Sequence, residues 1–268
     1  MTEGTTIWVS EGTDTTVASP ARIYDYLLGG GHNFAVDRQM ADKVLALIPT
    51  AGQIALRNRA FLRRAVLALV AAGVRQFLDI GSGIPTVGNV HEIAQQAAPE
   101  ARVVYVDHDP VAVAHSELVL EGNDRATAIL ADMRDPAGIL KHPKTRQLLD
   151  FDAPVGLLMV TVFHYVADSD DPMDLMARYR DPLAPGSYLP LSHATTDLNS
   201  AAVATMVELG KNSTPFYPRT RAAIADLFTG FELLPPGLVT TAQWPRFTNH
   251  GGGNPEDDVM LAGVGIKR

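Results

Sequence analysis

Cysteine is absent from the chain, which excludes disulfides, thiolate metal sites and a cysteine nucleophile. Long apolar runs are missing too: none approaches the ~18 residues that would suggest a membrane span. The segment Met1 to Ser19 has neither a basic stretch nor an apolar core. It does not read as a secretory signal, and the cytoplasm is the expected location. Positive charge is in deficit, with 22 Lys and Arg against 30 Asp and Glu and a formal net charge of −8. Without a long Lys/Arg stripe to neutralise phosphates, a nucleic-acid partner is not expected. The histidines are scattered at spacings that do not suit a metal ion, so no metal site is expected. No internal repeat is found.

What remains is ordinary globular composition, 46% hydrophobic and 19% charged over 268 residues. That length suits one large α/β unit with a modest extension. The divisions are a loosely ordered polar arm over residues 1–19, a helical cap over 20–72 and a core over 73–268. In the cap, Ile23, Tyr24, Leu27 and Leu28 fall at helical spacing and Gly29-Gly30-Gly31 stops the helix. Val36, Met40, Val44, Leu45 and Ile48 continue a second amphipathic pattern up to Pro49. Gln53 to Ala72 is the clearest helix. Its polar face, with Arg57, Arg59, Arg63 and Arg64, reads first as solvated.

The core is organised around Phe77-Leu78-Asp79-Ile80-Gly81-Ser82-Gly83, an apolar strand running into a glycine loop. Val87 to Ala98 is the expected following helix, and Arg102 to Val106 is a second strand tipped by Asp107. A third strand, Ala126 to Leu130, delivers Asp132. Val155 to Val162 is the most continuous apolar run and suits a central parallel strand covered on both faces, ending at Phe163-His164-Tyr165. The segment holding Pro136 and Pro143 reads as polar connection. Pro190 requires the strand Tyr188 to Ser192 either to bulge or to begin later. A sixth strand is expected over Phe231 to Leu234 and Leu238 to Trp244. Asn249 to Asp258 reads as a Gly-rich acidic turn, and Val259 to Ile266 as a last strand forming an antiparallel hairpin with the sixth.

Strand, glycine loop, helix and acid-tipped strand make a nucleoside-binding βαβ unit, with Asp79, Asp107 and Asp132 at neighbouring strand ends. Charge decides which nucleoside. A pyrophosphate favours amides and cations, whereas three carboxylates favour a ligand with ammonium and sulfonium charges and ribose hydroxyls. That points to S-adenosylmethionine.

The runs Leu78-Asp79-Ile80-Gly81-Ser82-Gly83, Val106-Asp107, Ala131-Asp132, Val162-Phe163-His164 and Leu183-Ala184-Pro185-Gly186 resemble those of class I methyltransferases over most of residues 73–268. More closely, Ser19 to Gly30 with Asn33-Phe34, Asn58-Arg59-Ala60-Phe61-Leu62 and Gly186-Ser187-Tyr188 resembles the actinobacterial S-adenosyl methyltransferase family formerly classed as a domain of unknown function. The resemblance implies a Rossmann-like, seven-stranded, mostly parallel sheet with an antiparallel last strand, helices on both faces and an N-terminal helical extension. It implies Gly81 and Gly83 near the methionine part of the cofactor, with Ser82 between them. Asp107 would meet the ribose hydroxyls, and Asp132 and Met133 would flank the adenine. Pro85 stands where many class I members have a third glycine.

Arg59 is the basic residue best placed to meet the cofactor carboxylate, and His108 either packs near the ribose or faces solvent. The N-terminal segment reads either as a cap on the sheet or as a lid, hinged at Gly29 to Gly31, that brings Tyr24, Tyr26, His32 and Asn33 over the pocket. Phe163 is grouped with these as a substrate contact. Methyl transfer relies mainly on positioning; if a base is used, His164 is the first choice, ahead of His193 and Asp168, though a pocket-wall role suits it equally. Phe216, Tyr217 and Trp244 read as core aromatics or substrate contacts. The expected partner is a small molecule. A non-catalytic binding protein and a nicotinamide-dependent oxidoreductase are the alternatives.

Overall fold

A computed structural model describes residues 14–86, 88–211, 213–245 and 258–268. Most of the Asn249 to Asp258 turn and residues 1–13 of the arm therefore lie outside the described residues.

Five strands run parallel in the order β3-β2-β1-β4-β5: β1 Gln76–Ile80, β2 Arg102–Asp107, β3 Ala126–Leu130, β4 Gly156–Val160 and β5 Tyr188–Ala194. The last strand, β8 Met260–Ile266, lies antiparallel beside β5. On the far side of β8, the short strands β6 Glu232–Leu233 and β7 Val239–Thr240 both pair with it antiparallel. The sheet thus has eight strands rather than seven. The expected sixth strand is divided at Pro235-Pro236-Gly237, where two residues have no N–H to offer a ladder. The antiparallel pairing of this region with the last strand holds. Pro190 is accommodated without a bulge, opposite Val264, and the β4–β5 pairing continues in unchanged register at Met159 and Val160.

Helices cover both faces, which is why β1 is buried along its whole length. On one face, Leu78, Val104, Leu157 and Leu191 pack with residues of α6 Pro136–Lys141, α8 Pro172–Arg180 and α10 Arg221–Asp226, among them Ile139, Leu175, Tyr179 and Ile224. On the other, Phe77, Val103, Leu158 and Val264 pack with α3 Ala51–Ala71 and α4 Val90–Ala97 through Phe61, Leu62, Val66 and Ile93. Each such side chain contributes about 1.5–3 kcal/mol by leaving water. Trp244 belongs to this second core, edge-on to Phe61 at 5.5 Å, and lies in a turn rather than a strand. The helices α5 Pro110–Val119 and α7 Pro143–Leu148 pack on β2 and β3.

The polar segment with Pro136 and Pro143 is in fact α6 and α7. In each, proline takes the first helical position, where its missing N–H costs nothing. The cap is built from α1 Pro20–Leu27, α2 Ala35–Leu47 and the first half of α3. Its anchor is Arg22, which donates to Asp37 at 2.8 Å and reaches Asp109 at 3.5 Å, all three buried. Asp37 also accepts from the amides of Ser19 and Phe34. Ser19, assigned to the arm, is thereby fixed to the fold.

Candidate active site

Because β3, β2, β1 and β4 are parallel neighbours, their carboxyl ends open on one cleft, a cavity of about 380 Å³. Asp79 lies one residue before the end of β1 and Asp107 ends β2. Asp132 follows β3. All nine residues expected to bind cofactor line this cavity: Arg59, Asp79, Gly81, Ser82, Gly83, Asp107, His108, Asp132 and Met133.

The glycine loop is shaped by its neighbours. Gly81 has φ +67°, and a Cβ there would come within 2.2 Å of Val162, so the loop closes directly on the segment after β4. Gly83 also has φ +67°, but a Cβ there would meet nothing within 4 Å; its amide donates to Asp107 at 2.7 Å. The helix that follows begins later than the sequence suggests, at Val90, with the Gly88 and Asn89 amides donating to Glu92. Its N-terminal amides are therefore not presented at Gly81 to Gly83. The Pro85 segment is held instead by Arg59, which donates to the Gly88 carbonyl at 3.0 Å, and by Asn89, which accepts from the Thr86 amide.

The carboxylates differ in state. Burial pushes Asp79 up to about 7, with the Arg59 charge opposing and the Asp107 charge adding to the shift. Burial also raises Asp107, against the amides of Asp109 and Gly83 that donate to it. Asp132 is more exposed and is held below the ordinary carboxylate range by its hydrogen bonds with Arg134, 2.5 Å away.

Of the residues grouped as lid or substrate contacts, Tyr24 lines the cleft and Tyr26, His32, Asn33 and Phe163 do not. Tyr26 donates to Asp42. The His32 ring lies 3.7 Å from that of His115. Asn33 and the His32 amide donate to Asp25. A Cβ on Gly30 would meet the buried Asp25 carboxylate at 2.0 Å, whereas one on Gly29 or Gly31 would meet nothing within 4 Å, so the turn is packed at its middle glycine alone. Phe163 is wholly buried in the core facing α8, because the chain turns down into a single 3₁₀ turn directly after β4.

His164 does not line the cleft. It lines a second cavity, of about 150 Å³, and is almost completely buried. Burial pushes its imidazole far down, with the charges of His193 and Arg219 acting in the same direction, so the ring is neutral. His193 is pushed down to about 4. Arg219 donates to its Nε2 at 3.0 Å and is bound in turn to Asp168 at 2.8 Å, so these two residues form a structural link away from the cleft. Tyr217 lines the cleft and Phe216 the second cavity.

Residues not anticipated from the sequence close the wall between the cavities. Asn58 donates to the Tyr24 hydroxyl at 3.2 Å and to Thr161, and accepts from Ser192 at 2.6 Å. Thr161 has φ +61°, unusual for a β-branched residue, and its amide donates to Ser192 Oγ at 3.0 Å. A signal for Asn58 was present, since it is a polar residue on the apolar stripe of α3 between Ile54 and Phe61. Thr161, within an apolar run, carried none. Of the α3 arginines, Arg64 donates to the carbonyls of Trp244 and Thr241 and Arg59 faces the cleft, so this face is largely engaged rather than solvated.

A family model described as S-adenosyl methyltransferase matches residues 6–268. The chain belongs to this S-adenosyl methyltransferase family. None of the curated proteins matches it. Among solved structures, a methyltransferase candidate from Thermobifida fusca is 38% identical, with 98% of this chain and 99% of that one covered and a TM-score of 0.92. A DUF574 family protein from Streptomyces avermitilis is 39% identical, with 95% and 99% covered and a TM-score of 0.91. The cofactor of this S-adenosyl methyltransferase is S-adenosylmethionine, and the cleft suits it. Asp79, held near 7 by desolvation, lacks the full complement of positive charge that a cationic ligand would supply. Gly83 leaves open space where any side chain would project. Among the described residues, no group of His, Asp and Glu could hold a metal ion, and no helix is long and apolar enough to cross a membrane.

Proposed function

We propose that the protein catalyses methyl transfer from S-adenosylmethionine to a small molecule. The observation that carries this reading is the convergence of Asp79, Asp107, Asp132 and the Gly81 to Gly83 loop on a cavity of about 380 Å³, a volume usual for small-molecule sites. Asp107 accepts from the ribose hydroxyls, Asp79 meets the ammonium end of the cofactor, and Arg59 meets its carboxylate. Asp132 and Met133 flank the adenine. When bound, the sulfonium supplies an activated methyl group, so the protein has only to exclude water and hold the acceptor in line. A base role for His164 is disfavoured, because burial pushes its imidazole well below its ordinary value and so makes it a weak proton acceptor.

The test is twofold. Thermal shift should rise with S-adenosylhomocysteine and not with NAD; the reverse result would overturn the assignment. Radiolabelled methyl transfer to a metabolite panel then separates an enzyme from a protein that only binds the cofactor.

A further inference from the structure

The second cavity is lined by α1, α2, α3 and the helix α9 Ser200–Gly210, together with the segment leading into β8. Among the described residues, no Asp, Glu, Lys or Arg lines it. Its walls are mostly aliphatic and thioether side chains, including Met40, Met206 and Met260, which adapt to irregular ligands and make favourable contacts with rings. At about 150 Å³ it has the size of an apolar cavity that holds benzene.

The cavity is not isolated from the cleft. Tyr24, Asn58, Thr161 and Tyr165 line both, so the two spaces meet at a wall in which Asn58 donates to the Tyr24 hydroxyl and to Thr161. His164 differs. Its Nδ1 is buried and has no hydrogen-bond partner among the described residues, while the ring is held edge-on to Tyr165 and tilted against Phe216, at 4.6 and 4.7 Å.

We propose that this cavity is the acceptor pocket, holding the body of a neutral, ring-sized apolar molecule. The assignment rests on the methyl-transfer reading. An ionised ligand is disfavoured because none of the described residues lining the walls carries a charge to compensate its desolvation. The acceptor meets the cleft at the shared wall.

Calorimetry on the full chain saturated with S-adenosylhomocysteine, using phenol, toluene and benzoate as probes, tests this. Phenol and toluene should bind, and benzoate should bind at least about tenfold more weakly than phenol. Val44→Phe and Met206→Phe fill the cavity independently, from α2 and α9; each should weaken phenol binding about tenfold or more while S-adenosylhomocysteine affinity stays within about twofold. The proposal is overturned if phenol does not bind, if both filling variants bind it unchanged, or if benzoate binds as well as phenol. Failure of S-adenosylhomocysteine to bind at all would instead overturn the methyl-transfer reading, and this assignment with it.

Discussion

Asp107 is buried, yet it already accepts hydrogen bonds from the Gly83 and Asp109 amides. It therefore fixes the glycine loop as well as offering oxygens to a ligand. Asp107→Ala should weaken S-adenosylhomocysteine binding by about 1–3 kcal/mol in calorimetry; unchanged affinity would contradict the ribose role. Asp79 makes a different prediction, because its carboxyl titrates near 7 in the free protein. A cationic ligand prefers the ionised form, so affinity should rise with pH between about 5.5 and 7, by up to about tenfold per unit. Asp79→Asn should flatten that dependence, and an equally steep profile in the variant would remove Asp79 from the cation site. These carboxylates were legible in the sequence because each ends or follows an apolar run, and the end of a parallel strand is where ligands bind. The wall of Asn58, Thr161 and Ser192 was not, since its members come from α3, the end of β4 and β5 and meet only through tertiary packing.

At the scale of elements, the same residue type carried opposite meanings. Pro110, Pro136, Pro143 and Pro172 each begin a helix, after Asp109, Asp135, His142 and Asp171, whose side chains accept a helix amide. Pro235 and Pro236 instead divide the sixth strand, while Pro190 is tolerated inside β5. Periodicity revealed the long helices but not α6 and α7, with six residues apiece, too short to develop it. The cap depends less on pattern than on one buried ion cluster. Arg22 joins α1 to Asp37 of α2 and to Asp109 at the start of α5. Removing it strands two carboxylates away from water, so Arg22→Ala should lower unfolding free energy by about 3–5 kcal/mol in denaturant melts. A loss below about 1 kcal/mol would mean that apolar packing, not this cluster, holds the cap.

For the whole molecule, the parallel sheet gathers groups whose linkage to folding has opposite signs. Asp79 is raised to about 7, so the folded state binds its proton more tightly than the unfolded chain. Its contribution is fully present below about pH 4 and is lost as pH rises through 7. His193 is lowered to about 4 and His164 lies well below its ordinary value. Between about pH 6.5 and 4 the unfolded chain takes up protons at these rings that the folded chain resists, so their contribution falls as pH falls. The two trends overlap and partly cancel, leaving a wild-type profile flatter than the two histidines alone would give. His193 separates them cleanly: Arg219 donates to its Nε2, which leaves Nδ1 to donate to the Ala194 carbonyl at 2.7 Å, a neutral tautomer that a second proton would disrupt. His193→Gln stays neutral on acidification. Its stability relative to wild type should improve by up to about 1.4 kcal/mol per pH unit as pH falls from 6.5 towards 4. Chemical denaturation at a series of pH values measures this difference, and parallel profiles for the two proteins would show that His193 takes up its proton equally in both states.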